Sequence, residues 1–266
     1  MMIRLTEDHR EAMTEFLSKD SAANLFMLGD LENFGFDETK QEFYGRFIDH
    51  ELCAVLMMYN QESLHFYTAM FDDQVVQQIR ALISQHPTLK TMNITASVYD
   101  LYQASLAEFI VEARATKLSV FHPEKILDDD PRVERLGLAD CQAVLDLEAQ
   151  SFSGLRQSLE KMQQGVENGT RVMYGIHDQS GLASVATYTA MTDFNAMVIA
   201  VCTRDSARQR GYASAVVAKL SFDLLAKGRR GVLFYDNPAA ARIYERLGYR
   251  YHTTYEMITL RNDCKL

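Results

Sequence analysis

The segment best suited to chemistry joins an apolar run to a helix through a short basic loop. Residues 197–201 are apolar, and the following helix carries apolar residues at Ala213, Val217, Leu220 and Leu224. The first turn of a helix has unpaired N–H groups and a partial positive charge. Gly211 puts no Cβ between these amides and an anion, and Arg208 and Arg210 add positive charge. The pattern predicts a pyrophosphate cradle, although a surface loop before a core helix also fits it.

A second segment, about 30 residues further on, has the signals of a short capped helix after a strand. Asn237 is a good N-cap, Pro238 suits the first helical position, and Gly248 fits the left-handed residue that follows a helix. Tyr244 lies on the apolar face of this helix. Its spacing alone fits a core aromatic residue as well as a reactive phenol.

The two segments together resemble the GNAT superfamily of CoA-dependent N-acyltransferases. That family's Arg/Gln-x-x-Gly-x-Gly/Ala signature matches residues 208–213, and its Asn-x-x-Ala-x-x-x-Tyr-x-x-x-Gly-Phe/Tyr helix matches residues 237–249. The motifs cover about 195–250, and the order of elements extends the resemblance to about 131–260. The region also resembles glycine-N-acyltransferase-type members, so an acyl group longer than acetyl stays open.

The resemblance implies acetyl-CoA or another acyl-CoA as co-substrate, no metal, and Tyr244 as general acid for the departing thiolate. The backbone of residues 201–203 is expected to bind the pantetheine arm, and the amides of residues 209–214 the pyrophosphate. A backbone N–H near Val201 is the expected oxyanion donor. The residues expected at the co-substrate are Val201, Cys202, Thr203, Arg208, Gln209, Arg210, Gly211, Tyr212, Ala213, Ser214, Asn237, Ala240 and Tyr244.

The sequence does not single out the base that takes the proton from the attacking amine. Asp146, Glu148, His177 and Asp193 are candidates, and a chain of water molecules is equally allowed. A covalent acyl-enzyme on Cys202 is disfavoured, because no histidine is near it in sequence and a cysteine in a strand is usually buried and inert.

Both halves of the 266-residue chain give one order of predicted elements: helix, helix, three strands, helix, strand, helix, strand. We therefore predict two GNAT-like mixed-sheet α/β domains in tandem, 1–125 and 131–266, joined by the proline- and aspartate-rich segment 121–131. Predicted helices span 6–19, 22–33, 72–85, 98–106, 139–150, 155–168, 207–227 and 238–247. Predicted strands span 42–48, 52–59, 63–69, 91–95, 109–120, 133–136, 171–177, 182–190, 195–203, 231–235 and 249–259.

The N-terminal copy is predicted to be degenerate, because the segment that should form its cradle, 68–73, has two aspartates and no glycine. Covering the acceptor site, structural support and dimerisation are open roles for this copy. A homodimer is therefore left open.

The charge distribution bears on the class of partner. Residues 1–127 hold 10 Lys/Arg against 19 Asp/Glu, whereas residues 204–250 hold 10 Lys/Arg against 4 Asp/Glu, within a total of −9. An acidic surface disfavours duplex nucleic acid, and a local basic block favours a small polyanion. The acidic total charge also disfavours a third functional class, namely tandem GNAT folds that use charged tRNA as the donor.

Other features place the chain in a reducing cytoplasm. The start becomes polar within six residues, unlike a secretory signal, and no apolar stretch is long enough for a membrane span. The four cysteines are far apart, which fits free thiols better than disulfides or a zinc site: Cys53, Cys141, Cys202 and Cys264.

The sequence thus predicts a cytoplasmic GNAT-type N-acetyltransferase that moves an acetyl or other acyl group from CoA to the amine of a small-molecule or amino-acid-like acceptor. No nucleic acid or membrane partner is expected. The alternative is a non-catalytic acyl-CoA-binding sensor that keeps the cradle without turnover.

Overall fold

The computed structural model describes residues 1–124, 130–152 and 157–261. Its contacts divide the chain into two compact units. The first holds Met1–Leu118 together with the chain from His252 onward, and the second holds Ser119–Tyr251. Three predictions fall wholly or partly outside the described residues: Cys264, the start of the helix at 155, and residues 125–129 of the linker.

The first unit is a mixed sheet with two helices on each face. Its strand order is β1-β2-β3-β4-β5-β12-β6, with β4 and β5 parallel and β5 and β12 antiparallel. Its strands are β1 (Ile3–Arg4), β2 (Gln41–Ile48), β3 (Glu51–Tyr59), β4 (Ser63–Thr68), β5 (Thr91–Thr95) and most of β6 (Ile110–Phe121) and β12 (Tyr249–Leu260). Its helices are α1 (Arg10–Ser18), α2 (Leu25–Phe34), α3 (Asp73–Gln85) and α4 (Ala96–Leu106).

Apolar side chains alternate between the two faces of the β3 strand, so each face has its own core. On one face, Val55 and Met57 pack with apolar residues of α1 and α2, including Phe16 and Leu28. The other face packs against α3 and α4. Residues near the chain's end also belong to this second core, because Ile258 and Leu260 of β12 are buried in it.

The second unit repeats the plan with its own strands and helices. Its strand order is β11-β10-β9-β8-β7, and only the β10–β11 pair is parallel. Its strands are β7 (Glu134–Leu136), β8 (Val172–Asp178), β9 (Gly181–Thr189), β10 (Asn195–Thr203) and β11 (Arg230–Tyr235). Its helices are α5 (Cys141–Ser151), α6 (Leu159–Glu167), α7 (Tyr212–Ala226) and α8 (Pro238–Leu247).

The repeated α/β order predicted from sequence is confirmed, and most predicted elements lie within two or three residues of their observed bounds. Two differences have clear causes. The helix predicted from 207 begins only at Tyr212, because Gln209 and Gly211 have φ of +63° and +79°, which no α-helix residue adopts. Strand β1 was not predicted, since two residues are too few to show alternation.

Two strands serve both units, which no pattern in the sequence indicates. Strand β6 runs from the first unit into the second at Ser119, and β12 runs back into the first unit at His252. The predicted domain ranges, 1–125 and 131–266, differ from this division of the chain and remain a prediction. Of the described helices, none combines the length and apolar character that crossing a membrane requires.

Ending the chain after Tyr251 should destabilise the first unit. Residues Tyr255–Thr259 pair with all of β5, and Ile258 and Leu260 are 1% and 6% exposed. Burying two such side chains contributes about 3–6 kcal/mol, a large part of the 5–15 kcal/mol of a typical protein. We expect a lower urea midpoint and faster amide exchange in β5 than in a control chain ending after Arg261. Equal midpoints would show that β12 is dispensable.

The stability of the first unit should also depend on pH through His252. Its Nε2 lies 2.8 Å from an Asp20 carboxylate oxygen, and this hydrogen bond raises the pKa of His252 in the folded state. A raised histidine pKa stabilises the fold fully below about pH 6.5, and the contribution is lost as pH rises through the folded pKa. His252→Gln should therefore reduce the excess stability at pH 6 over pH 8 in urea titrations. An unchanged pH dependence in H252Q would rule the pair out as its source.

Candidate functional site

A cleft opens in the second unit where the two parallel strands part. Strands β10 and β11 pair at three positions, ending with Met197↔Val232. Beyond Met197, the β10 edge that faces β11 has no strand partner among the described residues. A space of about 630 Å³ lies at this point.

An irregularity in β10 shapes the same edge. The register with β9 passes from Ile199↔Thr187 to Cys202↔Val185, so Ala200 and Val201 together face Ala186 alone. Ala200 has a φ of +52°, which is uncommon for a residue with a Cβ. This two-against-one arrangement is a β-bulge, a feature that redirects backbone groups and is frequent beside active sites.

The cleft brings together every residue predicted at the co-substrate except Arg210. Its lining residues are Ser151, Phe152, Val201, Cys202, Thr203, Ala207, Arg208, Gln209, Gly211, Tyr212, Ala213, Ser214, Asn237, Ala239, Ala240, Ile243, Tyr244 and Arg246. Sequence reasoning missed Ser151, Phe152, Ala207, Ala239, Ile243 and Arg246. No local motif marks the first two, because they come from the end of α5, some 50 residues before β10 ends.

The N-terminus of α7 faces the cleft without a side-chain cap. Gly211 is the N-cap residue, and it has no side chain that could accept a hydrogen bond from the first-turn N–H groups of residues 212–214. Its φ of +79° favours glycine, and a Cβ built there would meet nothing within 4 Å, so the space beside it is open. Gln209 is also left-handed. Backbone N–H groups near such residues can converge on an anion.

The arginines around this terminus differ in their positions. Arg208 forms an exposed pair with Asp205 at 2.7 Å, and Arg210 donates to the Ser206 carbonyl. Arg246, on α8, donates from Nη2 to the Ser214 hydroxyl at 2.6 Å, which holds a cation beside the first turn of α7. Sequence reasoning missed Arg246 because only the packing of α8 beside α7 places it there.

Tyr244 presents a protonated phenol to the cleft. It is 8% exposed, and its ring packs between Tyr235 and Tyr249 at centroid distances of 5.5 and 5.8 Å. Burial, with a smaller effect of Tyr235, raises the pKa of Tyr244 to about 12. The hydroxyl has no hydrogen-bond partner among the described residues, so it is free to donate to a guest.

Asn237 and Cys202 have structural contacts as well as a place in the lining. The Asn237 side-chain oxygen accepts from the Ala239 N–H at 2.9 Å and so caps α8. Cys202 is buried, and burial raises its pKa to about 12, so it is a thiol at neutral pH. A protonated thiol is a poor nucleophile, which agrees with the expectation that Cys202 does not form a covalent acyl-enzyme.

The four candidate bases lie in different surroundings, and none of them lines the cleft. Asp146 accepts from Gln142 on the surface of α5, His177 contacts Glu134 at 2.6 Å on the outer strands, and Asp193 precedes the closed end of β10. Glu148 alone is largely buried, 3.8 Å from Arg171. No described group of three or more His, Cys, Asp or Glu residues is placed to hold a metal.

The corresponding loop of the first unit is filled by its own side chains. The Tyr102 hydroxyl of α4 donates to the Met70 carbonyl at 3.0 Å and accepts from the Asp72 N–H at 2.9 Å. The Asp72 carboxylate caps α3 by accepting from the Gln74 N–H, and it pairs with Arg46 at 2.8 Å. The helix N-terminus that would hold an anion already has a carboxylate.

Known proteins share both the motif-bearing region and the whole fold. A family model described as FR47-like protein matches residues 173–258. A Drosophila protein of known structure is 15% identical, with a TM-score of 0.72 over 98% of this chain and 99% of its own. A GCN5-related N-acetyltransferase from Sphaerobacter thermophilus is 14% identical, with a TM-score of 0.67 over 97% of this chain and 94% of its own.

A tandem GNAT protein from the clavulanic acid biosynthesis pathway covers all of this chain and 99% of its own length, at 12% identity and a TM-score of 0.61. No curated protein matches the sequence. Full-length agreement with a tandem protein requires both units, and the family model covers the second unit from residue 173 to its end at Tyr251 and continues to residue 258. The chain therefore has the fold of tandem GNAT proteins, and residues 173–258 match the FR47-like family model.

Proposed function

We propose that the chain is an N-acyltransferase that moves an acetyl or other acyl group from CoA to the amine of a small-molecule or amino-acid-like acceptor. The reaction takes place in the cleft of the second unit. The observation that carries this proposal is the combination, around one space, of an uncapped helix N-terminus, an unpaired strand edge and a free buried phenol. Each of these suits a different part of an acyl-CoA.

The pyrophosphate fits the first turn of α7. Its charge is complementary to the free N–H groups of residues 212–214 and to the Arg246 guanidinium. The pantetheine arm carries amide groups, which suit the unpaired β10 edge at residues 201–203 as a neighbouring strand would. This arrangement puts the thioester at the deep end of the cleft, near the bulge.

The chain's own groups then serve the two changes of charge in acyl transfer. When the amine attacks the thioester carbonyl, the oxygen becomes negative, and the N–H of Val201 in the bulge is our candidate donor. When the C–S bond breaks, the thiolate requires a hydrogen bond from Tyr244. A phenol of pKa about 12 is a weaker acid than a thiol of about 8.5, so Tyr244 stabilises the thiolate chiefly by donating a hydrogen bond.

The first unit, in our proposal, does not bind CoA and serves as structural support. Asp72 would repel a phosphate, and Tyr102 covers the Asp72 N–H that a phosphate would need. A titration should therefore give one acetyl-CoA site per chain. A second site of similar affinity would contradict the degeneracy of this copy.

Gly211→Asp should abolish acetyl-CoA binding, because a carboxylate at the α7 N-terminus repels the pyrophosphate and occupies its amides. Like charges in contact cost several kcal/mol, so the affinity should fall by more than about 100-fold in calorimetry. Gly228→Asp is the matched control, because Gly228 ends the same helix with a similar φ of +74° and open space. Normal binding by G211D would refute the cradle.

Tyr244→Phe should lower kcat by about 10²-fold or more and leave acetyl-CoA affinity unchanged, because only the bond to the departing thiolate is lost. The measurement is release of CoA thiol with a panel of amines, with the affinity checked by calorimetry. Tyr174→Phe removes another buried phenol from the same core and should retain full turnover. Tight binding of acetyl-CoA without turnover by the unmodified chain would favour an acyl-CoA sensor instead.

A further inference from the structure

The cleft in the second unit has walls from both faces of its sheet. Helices α7 and α8 pack on one face with Val198 and Tyr235, whereas α5 and α6 pack on the other with Cys202 and Val185. The cleft is lined by Tyr212 and Tyr244 from the first pair of helices and by Ser151 from the end of α5. Two ligands can therefore meet in it, one from each face.

Unpartnered polar atoms gather on the α5–α6 face. Among the described residues of the second unit, three buried side-chain atoms lack a hydrogen-bond partner: Glu148 Oε1, Arg171 Nη1 and Thr187 Oγ1. Thr187 shares the face of Val185 because alternate residues of β9 point the same way. Each such atom costs about 1–3 kcal/mol, so a polar guest that bonds to this cluster would offset that cost.

Glu148 and Arg171 are the charged members of this cluster. Glu148 Oε1 lies 3.8 Å from Arg171 Nη1, too far for a hydrogen bond, and the side chains are 19% and 10% exposed. Arg171 Nη2 donates to Gln157 at 2.5 Å, which fixes the guanidinium. Glu148 is one helical turn before Ser151, which lines the cleft, and its charge acts on the Cys202 thiol.

We propose that the acceptor amine enters the cleft from the α5–α6 face and that Glu148 accepts the proton it releases. This inference rests on the proposed function. The amine nitrogen forms a bond to the thioester carbonyl carbon, and its proton passes through one bridging water to the Glu148 carboxylate behind the cleft wall. The C–S bond breaks with its electron pair on sulfur, so the products are an amide, CoA thiolate and a protonated Glu148, which then releases the proton to solvent.

The other candidate bases are less well placed. Asp193 precedes the end of β10 that is paired to β11, whereas the cleft is at the opposite end of that strand. His177 is held by Glu134 next to β7, the outermost strand. Asp146 is bonded to Gln142 on an exposed part of α5. Of the four candidates, Glu148 is the one connected to the cleft wall, one helical turn before Ser151 and close enough to Cys202 for its charge to act on the thiol.

The residues around Glu148 shift its pKa in a direction that suits a proton acceptor. Burial raises its pKa, and the Arg171 cation partly opposes that shift. Cys202 faces it from β10 as a neutral thiol, and Cys141 faces Arg171 from α5. A carboxyl with a raised pKa is a better base than an exposed one, and Arg171 favours its charged form.

The test uses acetyl-CoA with hydroxylamine, a nucleophile whose nitrogen is largely unprotonated at neutral pH. Glu148→Gln should lower the enzyme-dependent rate about 10²-fold or more and leave acetyl-CoA affinity unchanged. Asp146→Asn, the same change on the same helix, should have no effect. Each rate is divided by the fraction of hydroxylamine that is unprotonated at that pH. The corrected activity of the full-length chain should fall as the pH falls and Glu148 is protonated, and E148Q should lose this acidic limb.

Arg171→Gln gives a second readout that a merely structural role would not produce. Removing the cation raises the pKa of Glu148, so the acidic limb should move to higher pH. If E148Q or R171Q is too unstable to assay, the rate of Glu148→Asp and the pH profile of the unmodified chain test the proposal instead. A wild-type rate in E148Q, or a flat profile of the unmodified chain below neutral pH, would overturn the role of Glu148 alone. Failure to bind acetyl-CoA would overturn the proposed function as well.

Discussion

The separation of two parallel strands after three residue pairs is the constraint on which the site depends. Because β10 and β11 part beyond Met197↔Val232, backbone groups that a sheet normally pairs are left facing a space. The bulge at Ala200 and Val201 bends β10 at the same point. Helices α7 and α8 both begin where these strands end, so an N-terminus and a buried phenol border one opening.

The two units show how the same framework can be open or filled. In the first unit β4 and β5 also pair at three positions, Ser63↔Thr91 to His65↔Asn93. Tyr102 and Tyr244 are each the seventh residue of the helix that follows the fifth strand of their unit. The Tyr102 hydroxyl has partners at Met70 and Asp72, whereas the Tyr244 hydroxyl faces a cleft. The difference comes from the N-cap residue of the helix after the fourth strand, which is Asp72 in one unit and Gly211 in the other.

Charged groups in the second unit lie on both faces of its sheet. The exposed arginines and the free helix N-terminus lie with α7 and α8, where a polyanion would bind. The buried Glu148–Arg171 pair lies with α5, where burial rather than net charge sets its chemistry. A basic block in an otherwise acidic sequence therefore indicates only the first of these two charged regions.

The sequence by itself determined the repeated element order, the α/β class, and the loop and helix ends at Gly211, Asn237 and Gly248. These features depend on local rules, such as apolar periodicity, capping chemistry and a positive φ, that neighbouring residues already encode. It did not determine Ser151, Arg246 or the pairing of Glu148 with Arg171. Those contacts join residues far apart in the chain, and the division of β6 and β12 between the two units likewise has no local signal. Only tertiary packing decides such contacts. Many different residue pairs are compatible with the same local sequence pattern, and the pair that forms is the one in the fold of lowest free energy.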